Sequence, residues 1–283
     1  MQLLQSPGTL SGWSDAQRVA GRRVALVPTM GALHKGHVAL IEEARRQADV
    51  VAVSIFVNPL QFDVRDDFQA YPHALDSDLE ICTAAGVDVV YAPTAAAMYP
   101  VGFETHVDPG PTGEVLEGAH RPGHFRGVTT VVAKLFGAAR PHVAIFGEKD
   151  FQQLVIIQRM VADFDMGVQI VGLPTVREPD GLAMSSRNRR LSTAERVAAT
   201  SVPRSLQAVA DAVAGGERDS DTLEAIGREV VDREPMARFE HLQIVHPSTL
   251  QPLETLTDEA VAVTAVWFGD VRLIDNRRLT TDA

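Results

Sequence analysis

The stretch Val24-Ala25-Leu26-Val27-Pro28-Thr29-Met30-Gly31-Ala32-Leu33-His34-Lys35-Gly36-His37 decides how this chain is read. A short apolar run, 24–27, ends in a glycine-bearing loop, and an amphipathic stretch, 38–47, follows at once. A strand-loop-helix unit of this kind points free backbone N–H groups and the positive end of a helix dipole at whatever sits above the strand. His34 and His37 are three positions apart, so a helix starting near them puts both on one face of its first turn. Two imidazoles beside a helix N-terminus suit a polyphosphate, best of all one that gains charge during a reaction. The same pair also reads as two solvated side chains. A zinc site would need further ligands, and neither a Cys cluster nor a His-Glu-x-x-His pattern supplies them. No Gly-Lys-Ser/Thr follows the glycines, so the loop is not of the Walker A kind.

Working outward, further Val- and Ile-rich runs at 50–56, 87–91, 142–146 and 168–171 read as buried strands. Between them, 38–47, 75–85, 128–139 and 151–163 carry apolar residues at helical spacing. Strand-helix alternation predicts an α/β fold: a doubly wound, Rossmann-like parallel sheet covered on both faces, with ligands at the carboxyl ends of strands. The Gly- and Pro-rich stretch 99–124 reads as a long excursion, a loop or cover over the site. After a second irregular stretch, 174–190, the texture changes. Helical patterns at 193–213 and 222–231, then strands at 239–245, 261–268 and 271–274, predict a small α+β unit. The expected division is 1–174 for the sheet domain and 175–283 for a C-terminal domain.

The 283 residues suffice for one large domain or two smaller ones. Lys and Arg number 26 against 37 Asp and Glu, a net charge of −11 that argues against a broad nucleic-acid surface. The single cysteine, Cys82, excludes an intramolecular disulfide and fits a reducing compartment. It falls in an apolar helical pattern, as a structural thiol would. No run approaches a membrane span, and residues 1–23 lack the pattern of a secretory signal, so a cytoplasmic location is expected.

Three other segments carry suitable chemistry, each after a strand or between the two domains. In Asn58-Pro59-Leu60-Gln61-Phe62, Asn58-Pro59 turns the chain and Gln61 falls at the carboxyl edge of the sheet. Its amide can donate to and accept from a hydroxylated substrate. Taken alone, an exposed surface position accounts better for Gln61; its place beside the first loop favours binding. In Phe146-Gly147-Glu148-Lys149-Asp150-Phe151-Gln152-Gln153, a glycine turn again opens a helix. Lys149 offers a compact charge for phosphate oxygens, with a solvated side chain as an even alternative. Asp150 suits a helix cap, and Gln153 falls near the first turn, where it can face the pocket with Gln61. In Gly181-Leu182-Ala183-Met184-Ser185-Ser186-Arg187-Asn188, two hydroxyls, an arginine and loop N–H groups make a flexible anion clamp able to exclude water on closing. By itself this last segment reads as a linker carrying a helix cap. Together the segments describe nucleotidyl transfer, which needs mainly positioning and charge stabilisation.

These residues resemble those of a known family. His34-Lys35-Gly36-His37 is similar to the His-x-Gly-His signature of the nucleotidyltransferases and class I aminoacyl-tRNA synthetases, and Met184-Ser185-Ser186-Arg187 stands where their mobile Lys-Met-Ser-Lys-Ser loop lies. The longer strings from Pro28 to His34, Ser54 to Phe62, Phe146 to Asp150 and Asp180 to Asn188 resemble the pantoate–β-alanine ligase (pantothenate synthetase) family. The likeness runs from about Val24 to Asn188 and resumes weakly at Arg272–Asn276. It implies condensation of (R)-pantoate with β-alanine, using ATP and Mg2+, through a pantoyl adenylate, with release of AMP and pyrophosphate. By the same resemblance Pro28, Thr29, Met30, Gly31, Ala32, Leu33, His34, Lys35, Gly36 and His37 line the ATP site. His37 stands where the family has its proton donor, and His34 and His37 read more cautiously as donors to the phosphates. Gly147, Glu148, Lys149 and Asp150 touch the nucleotide, Lys149 on the phosphates. Val176 meets adenine through its backbone, and Met184, Ser185, Ser186 and Arg187 close over the β- and γ-phosphates. Gln61 and Gln153 hold pantoate. Magnesium accompanies ATP with no dedicated protein cage in view. A homodimer is implied, with no nucleic-acid or membrane partner.

The chain departs from the family at Lys35, where Glu is usual, at Phe151, where Tyr is frequent, and at Asp63, where glycine is common. Asp76-Ser77-Asp78 offers carboxylates for a metal or for helix capping. Three rivals remain: another transferase of the superfamily, a tRNA synthetase, and a nucleotide-binding module without turnover. The paired glutamines count against the first, the acidic charge and short length against the second, and the intact His34, His37, Lys149, Ser185, Ser186 and Arg187 against the third.

Overall fold

Valine-rich runs without polar alternation become central strands because both of their faces are covered. The computed structural model describes residues 1–62 and 74–280; Asp63 lies outside the described residues. Six strands, Gln2–Leu4 (β1), Val24–Thr29 (β2), Val50–Ile55 (β3), Val89–Tyr91 (β4), Val143–Gly147 (β5) and Gln169–Leu173 (β6), form one sheet in the order β1-β4-β3-β2-β5-β6. Every pairing is parallel. Alternate residues feed two cores. Leu26 and Ala144 join Phe125, Val132, Leu135 and Ile157 on one side; Ala25, Val27 and Val143 join Ile41, Ala44 and Cys82 on the other. Cys82 is fully buried, which pushes its thiol up to about 11 and suits a structural role.

The chain leaves β2 toward β3 and β4 on one side, whereas β5 and β6 lie on the other. That reversal opens a crevice at the carboxyl ends of β2 and β5, the place where doubly wound sheets bind ligands. The loop after β2 and the Gly147-Glu148 turn after β5 both fall there.

Two elements were not legible in residues 1–23. β1 is three residues at the sheet edge, too short to show alternation. The helix Pro7–Val19 starts on a Ser6 cap with proline at its first position, yet among its buried residues only Leu10 is apolar. Stretch 99–124 is mostly irregular, holding a 3₁₀ turn, Gly110–Gly113, and a short helix, Glu117–His120. The following helix starts at His124, earlier than its apolar pattern suggested.

The chain divides into two compact units, Met1–Glu148 with Gln152–Pro174, and Lys149–Phe151 with Thr175–Ala283. In the second unit Ala237–Val245 (β7), Ala260–Phe268 (β8) and Val271–Leu279 (β9) form an antiparallel sheet in that order. Helices Ser201–Ala214 and Ser220–Asp232 place Leu206, Val209 and Leu223 in a core with Leu242 and Ile244. The expected single helix over 193–213 is two, Thr193–Ala198 and Ser201–Ala214. Pro203 explains the break: it has no N–H to give Ala199, and its ring crowds that carbonyl. β9 runs past the expected Ile274 because Asp275 and Asn276, though polar, are buried with partners. Among the described residues no helix is long and apolar enough to cross a membrane.

Candidate active site

Thr29 closes β2 by donating its hydroxyl to Ser54 O at 2.7 Å, and the same oxygen accepts from Gly31 N at 3.2 Å. Ala32 N and Leu33 N donate to Asp78 Oδ2 and Oδ1 at 2.9 and 2.7 Å. His34 caps the helix Lys35–Gln47: its Nδ1 accepts from Gly36 N at 3.1 Å, and His34 N donates to His37 Nδ1 at 3.2 Å. The two rings stand 4.1 Å apart between centroids.

This corrects the expected cradle of free backbone donors. The N–H groups of Gly31, Ala32, Leu33, His34 and Gly36 all have partners within the chain. What the reciprocal caps create instead is a chemical asymmetry in each ring. A neutral imidazole that accepts at Nδ1 carries its proton on Nε2, so His34 and His37 are both set as Nε2–H donors. Pro28, Thr29 and Met30 are half-buried at the end of β2, and Lys35 is exposed at the first helical position. A cation there opposes the helix dipole, so Lys35 brings no structural gain to the helix start.

Gln61 is buried at the end of the 3₁₀ turn Pro59–Gln61. The amide is oriented by a chain of bonds. Tyr99 Oη donates to Asn58 Oδ1 at 2.7 Å, and Asn58 Nδ2 donates to Gln61 Oε1 at 3.0 Å. Gln61 Nε2 is left as the donating end, 3.0 Å from Met30 Sδ in the first loop. Asn58, 1% exposed, also donates to Gly127 O at 3.1 Å. A Cβ at Gly127 would lie 2.2 Å from Leu60 O, so only glycine lets this helix approach the turn so closely. His124 Nδ1 and Arg121 Nη2 donate to Gln61 O at 2.8 and 3.2 Å. Burial raises the Tyr99 phenol well above its usual range, keeping it a donor.

Sequence reading missed Asn58, Tyr99, His124 and Asp78. Asn58 is the turn former its sequence context predicts, since its Oδ1 also accepts from Leu60 N at 3.3 Å. At 76–78 the sequence offers carboxylates for a metal or a helix cap. Asp78 does not cap its own helix, since the helix Leu75–Ala84 has no side-chain cap; its two oxygens hold the first loop instead.

In the first unit Gly147 ends β5 and Glu148 begins a 3₁₀ turn. Gln153 is half-buried in the first turn of the helix Phe151–Asp163. Its neighbour Gln152 is structural, bonded to Thr112 O, Val115 O and Glu117 N.

In the second unit Lys149 Nζ stands 3.4 Å from Asp150 Oδ1, and Lys149 O accepts from Asn276 Nδ2 at 2.9 Å. Phe151, where the family often has Tyr, is buried with the Arg278 guanidinium over its ring. Val176 O accepts from Met184 N at 2.9 Å, so the expected adenine contact and the Ser-Ser-Arg loop share one hairpin-like segment. Arg177 forks onto buried Asp275 at 2.7 and 3.1 Å, and Arg196 bridges Glu178 and Asp180. The Arg196 bond holds the Asp180 carboxyl below its ordinary value. Ser185 Oγ accepts from Arg187 N at 3.2 Å, capping the 3₁₀ turn Ser186–Arg190. The cap agrees with the reading of this segment as a linker that carries one.

A model of the Pantoate-beta-alanine ligase family matches residues 2–278. The chain is 49% identical to a pantothenate synthetase of Geotalea uraniireducens, over the full length of both. It is 50% identical to one of Heliobacterium modesticaldum, covering 98% of each. Its fold matches the crystal structure of the Thermus thermophilus pantothenate synthetase with a TM-score of 0.91, at 44% identity over 98% of this chain and 99% of that one. It also matches a Francisella tularensis pantoate-beta-alanine ligase, solved as a complex with beta-gamma ATP and beta-alanine, with a TM-score of 0.82 at 32% identity over 100% and 98%.

Proposed function

The chain belongs to the pantoate–β-alanine ligase family, and from that premise we propose how its residues carry out the ATP-dependent joining of pantoate to β-alanine. A carboxylate oxygen of pantoate attacks the α-phosphorus of ATP. The bond to the bridging oxygen breaks, and pyrophosphate leaves. The β-alanine amine then attacks the acyl carbon of the resulting pantoyl adenylate, loses its proton and displaces AMP. The observation that carries this reading is the reciprocal capping of His34 and His37 at the reversal of the sheet. It supplies two fixed Nε2–H donors where phosphate charge grows, with no acid catalysis needed to expel pyrophosphate.

In this account Lys149 neutralises phosphate oxygens, Gly147, Glu148, Asp150 and Val176 border the nucleotide, and Met184, Ser185, Ser186 and Arg187 close over its β- and γ-phosphates. Gln61 and Gln153 hold pantoate, Gln61 through the Nε2 that Asn58 leaves to donate. The first unit binds ATP and pantoate, and the second carries the closing loop. Magnesium would accompany ATP and neutralise charge on its phosphate oxygens. A homodimer in the cytoplasm completes the proposal, the reducing compartment agreeing with a single buried thiol.

The test is exchange of labelled pyrophosphate into ATP with pantoate and magnesium present and β-alanine absent. Exchange that requires pantoate is expected. Exchange without pantoate, or none with it, contradicts the adenylate route.

A further inference from the structure

Asp78 is 1% exposed, yet it lies 45 residues away in sequence from the loop it holds. Its carboxylate meets two successive peptide N–H groups, one per oxygen, at 2.9 and 2.7 Å. Those peptides are unusual: Gly31 and Ala32 both have positive φ, 86° and 50°. Glycine takes that conformation freely, whereas alanine resists it, so something must hold Ala32 there. Consecutive N–H groups in such a bend form a concavity that takes up an anion. Here the chain supplies its own anion, and the fit beneath Gly31 is close, since a Cβ on that glycine would lie 2.9 Å from Asp78 Oδ2.

We propose that Asp78 is the positioning residue of the His34–His37 pair: by holding Ala32 and Leu33 it sets the direction in which the two Nε2–H donors face the reacting phosphate. The chain of cause is short. Leu33 precedes His34, and His34 is both the helix cap and one of the two rings. Fixing the planes of two peptides immediately before the cap fixes where the helix begins and where its first turn points. The bound carboxylate also keeps Ala32 and Leu33 from serving as phosphate ligands. The triphosphate is thereby directed to the imidazoles, which can act on the oxygen that gains charge. Donors that are misplaced by about an ångström lose most of their effect on a transition state while still admitting the ground state.

The inference rests on the adenylation reading, and the two half-reactions separate their failures. Asp78→Asn keeps the volume but sets an amide NH2 against one of the two N–H groups. Adenylation, followed as pantoate-dependent pyrophosphate exchange, should fall about tenfold or more, with the KM for ATP changed less than about twofold. Conversion of supplied pantoyl adenylate and β-alanine into product involves no pyrophosphate departure, and it should stay within about twofold. Asp76→Asn removes the same charge from the same helix end at an exposed position, and it should leave both half-reactions unchanged. Equal loss in both half-reactions marks a merely structural role and overturns the proposal, as does no loss in either. A wild-type chain without pantoate-dependent exchange would remove the adenylation reading and this inference with it. Wild-type amide resonances give a check that survives a variant failing to fold: Ala32 and Leu33 protons should lie far downfield, as bonds to a carboxylate require, and ordinary shifts overturn the assignment.

Discussion

The loop after β2 and the Ser185–Arg187 segment are each proposed to serve a phosphate, and they are held in opposite ways. The first is fixed through its middle: five of its N–H groups have internal partners, and a buried carboxylate lies beneath it. The second is fastened at its base, by the Arg177–Asp275 fork and by Arg196 on Glu178 and Asp180, and near its tip a serine cap closes one turn. Donors that stabilise a transition state work best when they need not reorganise during the step. Groups that close over a bound ligand must first let it enter. In the proposed account the contrast is a division of labour: a loop pinned through its middle for chemistry and one fastened at its base for enclosure.

Three variants would sharpen or break that contrast. The largest effect is expected from His34→Ala, which removes a donor together with the acceptor that holds Gly36 N. Adenylation should fall about a hundredfold with little change in the KM for ATP; a loss confined to KM would mean that the first loop only binds. Arg177→Met leaves the Asp275 carboxylate 1% exposed without its partner. Because Arg177 is itself one-third exposed, the expected loss in unfolding free energy of the second unit is about 2–3 kcal/mol, read by urea denaturation. Unchanged stability would show that the base of the second loop is not fastened there. Tyr99→Phe removes one of the bonds that orient the Asn58 amide, so the KM for pantoate should rise about threefold while ATP use is unaffected. An ATP effect of equal size would place the Tyr99–Asn58–Gln61 chain in the nucleotide site instead.

How much of this was legible beforehand follows a physical line. The runs around Val24, Val50 and Val143 announce central strands because burial on both faces leaves no room for polar residues. His34 and Lys149 announce themselves because glycine turns after such strands are local features. Proximity created by folding is another matter. Nothing near Asp78 in sequence says that Ala32 and Leu33 will lie against it, and Tyr99 reaches Asn58 from an irregular stretch without periodicity. Asn58 was hidden differently, because its turn-forming role was a sufficient local explanation. The Pro7–Val19 helix was missed because its buried face includes Ser14 and Gln17, which weakens the apolar stripe. The free-donor cradle was a sound inference from pattern, but the side chains that satisfy those donors arrive from the loop itself and from a distant helix.

Amide hydrogen exchange with and without ATP tests the division of labour most directly. The account predicts that Ala32, Leu33 and Gly36 are protected before ATP is added and change little afterwards, whereas 185 and 186 exchange quickly alone and slow when ATP is bound. First-loop amides that exchange freely in the absence of ATP and become protected only with it would contradict the account.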